Sequence, residues 1–144
     1  QHERELKFEV YLLRNIPFSG LGFQLTWSQF YPDFIMWAKE PINSGQSTEM
    51  TGKQAIVFLD PKGLEHSKGL NDEKVQFSKE IKNVERKLNN KNIVLESFIL
   101  SETSYREVIK GWGDHPSRDD CVNNHVLFLE DPNWPEELFR LINF

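Results

Sequence analysis

Two uninterrupted apolar runs, Phe34-Ile35-Met36-Trp37-Ala38 and Ala55-Ile56-Val57-Phe58-Leu59, have the length and composition of buried strands. Upstream, residues 8–13 and 23–27 predict two more strands, joined in hairpin fashion across Pro17, Gly20 and Gly22. Downstream the period changes. Phe77, Ile81, Val84 and Leu88 fall at i, i+4, i+7 and i+11, which predicts one apolar stripe on a helix over 72–88, with Asn71 or Asp72 as its cap. Residues 93–100 read as the next strand. Ser104 and Glu107 then have capping-box spacing ahead of Tyr105, Val108, Ile109 and Trp112, a second helix. A polar loop leads to a short strand over 125–129, and Pro135 opens a last helix through Leu138, Leu141 and Ile142. The expected fold is α/β (α+β), a central mixed sheet flanked by helices.

The polar residues attached to the first two runs carry the candidate chemistry. Tyr31-Pro32-Asp33 leads into one run and Asp60-Pro61-Lys62-Gly63 follows the other. If the backbone stays extended, Asp60 and Lys62 leave the same face about 6–7 Å apart at Cα. A carboxylate and an ammonium then converge. Asp60 to Gly63 is also a good β-turn, with Pro at its second position and Gly at its fourth, and Pro61 would normally end the strand at Leu59. Asp33 favours a site, because two acidic groups beside hydrophobic strands need water, a partner or a cation. The two readings are compatible, since a turn can also aim Lys62 at a metal.

Pro32-Asp33 followed by Asp60-Pro61-Lys62 resembles the PD-(D/E)xK nuclease superfamily. The wording Pro-Asp-Phe-Ile with Phe-Leu-Asp-Pro-Lys-Gly-Leu resembles the endonuclease domain at the carboxyl end of Type III-like restriction helicase-nucleases. The resemblance implies a restriction-endonuclease-like core and Mg²⁺-dependent hydrolysis of DNA phosphodiester bonds, with Mn²⁺ as a possible substitute. It implies that Asp33, Asp60 and the Pro61 carbonyl hold the metal and that Lys62 orients the nucleophile or stabilises the transition state. The implied partners are double-stranded DNA, an ATP-dependent helicase or translocase domain, and a sequence-recognition or methyltransferase subunit. A Gln on the helix after the motif often assists such sites, which nominates Gln76, with Glu80 four positions on. A Glu ahead of the first strand is also usual, and Glu3, Glu5 and Glu9 are candidates. A catalytically silent scaffold that binds DNA or protein, and an unrelated interaction domain, are the alternatives.

Composition bounds these readings. The 144 residues, 38% of them hydrophobic, amount to a single domain (1–144), and the sequence starts as if it were a piece of a longer protein. One cysteine excludes an internal disulfide, and no apolar run is long enough to span a bilayer, so a reduced, soluble, cytoplasmic protein is expected. The net charge of −5 is unhelpful to a nucleic-acid binder. Residues 62–91, however, hold eight Lys/Arg against five Asp/Glu. For each of those cations singly, including Lys74, Lys79, Lys82, Arg86 and Lys87, a solvated helix face is the simpler reading.

Other constellations are weaker. Cys121 and His125 have a Cys-x3-His spacing without a second ligand pair, and His66 reads as a loop residue. Trp27, Trp37, Trp112 and Trp134 read as core. There is no phosphate-binding glycine loop, nucleophile elbow or dinucleotide fingerprint. The polar stretch over 40–53 is expected to be a mobile hairpin loop.

Overall fold

The computed structural model describes residues 9–26, 28–40 and 52–142. Its centre is a five-stranded mixed sheet in the order β1-β4-β5-β6-β7. These strands are β1 (Glu9–Arg14), β4 (Phe34–Lys39), β5 (Gln54–Lys62), β6 (Ile93–Ser101) and β7 (Val126–Phe128). β1–β4 and β4–β5 are antiparallel pairs, whereas β5–β6 and β6–β7 are parallel pairs. Parallel neighbours require a crossover. Helix α1 (Glu73–Leu88) makes the first, and α2 (Tyr105–Gly111) with α3 (Arg118–Asn123) the second. Helix α4 (Trp134–Ile142) closes the chain. Among the described residues no helix is long and apolar enough to cross a membrane.

Alternation along β5 divides the core in two. Ala55, Val57 and Leu59 pack with Phe98, Leu100, Leu138 and Ile142 on the α4 side. Ile56 and Phe58 pack with Phe77 and Ile81 on the α1 side. Buried on both faces, β5 is apolar at every position from Ala55 to Leu59. A third cluster gathers Leu64, Val75, Ile99, Val108, Trp112, Cys121 and Phe128 beneath α2 and α3.

Several expectations change. The second predicted strand does not pair with the first. Phe23–Gln24 (β2) pairs with Gln29–Phe30 (β3) in a separate two-stranded sheet, whose Phe23 and Phe30 lie against Phe77. β1 pairs with β4 instead. Asp72 caps α1 as expected, accepting from the Lys74 amide, but only half of the helix stripe is covered. Phe77 and Ile81 are buried, while Val84 and Leu88 are 41% and 51% exposed, because α1 outruns the sheet face it crosses. Trp37, expected in the core, is also exposed, and its Nε1 donates to Gln54. Trp112 is buried; Trp27 lies outside the described residues. The expected polar loop after α2 contains α3, started by a reciprocal capping box between Ser117 and Asp120. Most of the expected hairpin loop, 41–51, lies outside the described residues.

Pro61 does not end the strand. β5 continues through Lys62, with Pro61 across from Leu100 of β6. The Lys62 carbonyl accepts from the Glu102 amide on the β6 side, so by alternation the Pro61 nitrogen and carbonyl point the other way. On that side β4 has already stopped, its last pair with β5 being Phe34 with Leu59. The missing N–H therefore leaves no ladder bond unmade.

Candidate active site

The β4/β5 register brings the two acidic residues together. Their pairing runs from Lys39–Gln54 to Phe34–Leu59, so one further step sets Asp33 across from Asp60. Opposite residues of an antiparallel pair share a face, with Cβ atoms about 4.5–5.5 Å apart. Ile35 and Phe58 face α1, and therefore so do Asp33 and Asp60. Lys62, two residues on, takes the same face.

Asn15 holds the Asp33 side of this arrangement. Its amide donates to the Asp33 carbonyl at 2.8 Å and its Nδ2 to the Pro32 carbonyl at 2.9 Å. Its side chain also donates to the Leu21 carbonyl and accepts from the Leu21 amide. Asn15 is buried, and these bonds leave Tyr31-Pro32-Asp33 one place to go. Nothing in its sequence context marks this residue; a polar side chain just after a strand is common.

Asp60 is only 7% exposed. Burial pushes its carboxyl up to about 6, the Asp33 carboxylate adds to the rise, and Lys74, Lys62 and a hydrogen bond with the Asp33 backbone oppose it. A buried carboxylate with a second one opposite is a pair that a cation would stabilise. Both carboxylates and the Pro61 carbonyl are hard oxygen donors, the type that suits Mg²⁺ or Mn²⁺. Among the described residues no three His, Cys, Asp or Glu side chains cluster for a metal. An ion here would complete its shell with water and substrate oxygen.

Lys62 lies beside these groups with its ammonium disfavoured, first by burial, then by Lys74. Lys74, in the first turn of α1, exerts the strongest opposing charge on Asp60. From sequence alone a solvated helix face is the simpler reading of Lys74. Crossover packing turns that first turn towards the strand ends, where Ser28 bonds to the adjacent Glu73.

The other nominated residues make contacts of their own. The Gln76 side-chain amide donates to the Leu70 carbonyl and so ties α1 to the turn before it. Glu80 is exposed. Glu9 is ion-paired with Lys39 at 2.9 Å, at the far end of the β1/β4 ladder from Asp33; Glu3 and Glu5 lie outside the described residues. His66 is exposed in a turn. Cys121 is buried, with its thiol pushed up to about 11 by burial and Asp120. His125 stacks on Phe98 and donates from Nδ1 to the Ser97 carbonyl, so the Cys-x3-His pair forms no common site.

The chain shows no significant match to any family model, curated protein or solved structure. The functional reading therefore stands on the geometry of these residues.

Proposed function

We propose that this chain is a metal-dependent endonuclease domain that hydrolyses DNA phosphodiester bonds. One observation carries the proposal: the β4/β5 register sets Asp33 across from Asp60, with Lys62 on the same face beside them. Asp33, Asp60 and the Pro61 carbonyl would hold Mg²⁺ or Mn²⁺, which supplies Lewis acidity and lowers the pKa of a nucleophilic water.

The protein's own groups do the rest. Lys62 places positive charge beside the phosphorus, where it offsets the negative charge that builds in the transition state. Its half-buried position strengthens this contact, since fewer waters compete. Burial also draws its proton affinity down, which suits a group that orients the attacking water by hydrogen bonding. Asp60, held between strands by main-chain pairing, keeps its carboxylate in place without a loop closing over it.

An acidic chain with a local excess of cations only over 62–91 holds a polyanion weakly. In the proposed assembly, affinity and targeting come from attached partners, an ATP-dependent helicase or translocase domain and a sequence-recognition or methyltransferase subunit. The deciding experiment incubates plasmid DNA with the protein, alone and with such partners, in Mg²⁺, in Mn²⁺ and in chelator. Metal-dependent nicking or linearisation that Asp60→Ala abolishes is expected. DNA binding without cutting under every condition would replace this reading with a nuclease-like scaffold.

A further inference from the structure

Lys74 has no part in the motif, yet the fold brings it to the same place. β5 delivers Lys62 at its carboxyl end and α1 delivers Lys74 in its first turn, and the two side chains face one another across one small cavity. They share a cavity of about 280 Å³, with Lys68, Asn71, Asp72 and Glu73 also on its wall. Among the described residues neither lysine is one of the ion-paired cations. Asp72, the nearest candidate, spends its carboxylate on the amides of Lys74 and Lys68. The Lys74 ammonium lies over Phe30, with Nζ 5.4 Å from the ring centroid.

Two ammonium groups held this close in a partly dry cavity repel each other, and an anion between them removes the repulsion. The α1 amides do not supply that anion site, because Asp72 already occupies them. The cations themselves must.

We propose that Lys74 and Lys62 form a clamp for the non-bridging oxygens of one nucleic-acid phosphate, with Lys74 a substrate-binding residue and Lys68 placed for the neighbouring phosphate. This rests on the nuclease reading for its purpose and on the lysine geometry for its existence. Lys74 and Lys62 also act on the Asp60 carboxyl, so a phosphate seated on the lysines would lie beside the carboxylate-held ion. Binding through the clamp needs no divalent ion.

The test compares the wild-type chain with Lys74→Met, which keeps an unbranched apolar stem and removes the charge, and with Lys74→Arg. Fluorescence anisotropy with a labelled DNA duplex and its single strand, in chelator, is followed against salt. Lys74→Met should weaken binding to about the same degree for every sequence and lower the log–log salt slope by about 1, while Lys74→Arg restores both. Melting temperatures check folding, and Lys74→Gln replaces Lys74→Met if that variant fails to fold. An unchanged slope and affinity in the neutral variant overturns the clamp, as does a wild-type chain that binds neither probe. The nuclease reading is judged separately by Mg²⁺-dependent cutting. A chain that cuts equally well with Lys74→Met keeps the nuclease and loses the clamp. One that binds through Lys74 but never cuts keeps the clamp and loses the nuclease.

Discussion

Asp33 stands one step beyond the last pair of the β4/β5 hairpin, directly across from Asp60, and its carboxylate adds to the cost of ionising Asp60. Strand pairing rather than loop conformation sets their separation. On the α1 face the same step marks the end of the apolar core and the beginning of the site.

Removing either of the two remaining functional side chains should affect chemistry and leave the fold in place. Asp33→Ala and Lys62→Ala are expected to lower Mg²⁺-dependent cleavage by about 10² or more, as loss of a metal ligand or a transition-state cation does elsewhere. Asp33 is exposed and Lys62 half-buried, so melting temperatures should stay near wild type. Cutting at wild-type rate by either variant removes that residue from the mechanism.

Burial makes the Asp60 carboxylate costly to the fold. Its carboxyl sits at about 6 in the fold against 3.8 ordinarily, so the folded state holds the proton in a window where the unfolded chain has lost it. Stability from this group is complete below pH 3.8 and is lost as the pH rises through about 6. Asp60→Asn should therefore stabilise the metal-free protein above that window by on the order of 2 kcal/mol. The same change should abolish metal binding measured by calorimetry. A less stable Asp60→Asn would contradict the burial argument.

Asn15→Ala tests whether the Tyr31–Asp33 segment must be held. Several buried hydrogen bonds are lost, at a cost of about 1–3 kcal/mol, because the Pro32 and Leu21 carbonyls keep no partner from this side chain. Cleavage should fall with it, and addition of Mg²⁺ should recover part of the melting temperature. Full activity at full stability would make Asn15 irrelevant to Asp33.

A second buried carboxyl gives a pH signature away from the site. Glu96 is 3% exposed and ion-paired to Lys82, and its Oε2 has no hydrogen-bond partner. Burial raises it from 4.5 to about 7, so its stabilising contribution is lost as pH rises across that interval. His125 nearby, lowered by burial, acts in the opposite sense and loses its contribution as pH falls below 6.5. The Asp60 contribution also declines up to about 6, so Glu96→Gln should shrink the decline between 4.5 and 7, most clearly above 6, as read from melting temperature against pH. The same decline in the variant would exclude Glu96 as its source.

Much of this was visible before the fold. Runs of β-branched and aromatic residues marked β4, β5 and β6, because a strand covered on both faces tolerates almost nothing else. The Asp60–Lys62 spacing placed a carboxylate and an ammonium on one face for the same periodic reason. Local pattern misjudged Pro61, whose turn chemistry is real but is overruled where β4 ends early and leaves its nitrogen no ladder to serve. It also overstated the α1 stripe, since periodicity cannot tell how far a sheet extends beneath a helix.

The sequence by itself determined the central strands, the helices α1, α2 and α4, their order and the acidic and basic groups at two strand ends, because side-chain period and strand burial are local properties; β3 and α3 escaped it. Only the tertiary structure decided which groups meet. Asn15 reaches Asp33 because β1 pairs with β4, and Lys74 reaches Lys62 because a parallel crossover returns α1 across the strand ends. Both contacts depend on pairing between segments distant in the chain, and neither leaves a periodic trace within its own segment.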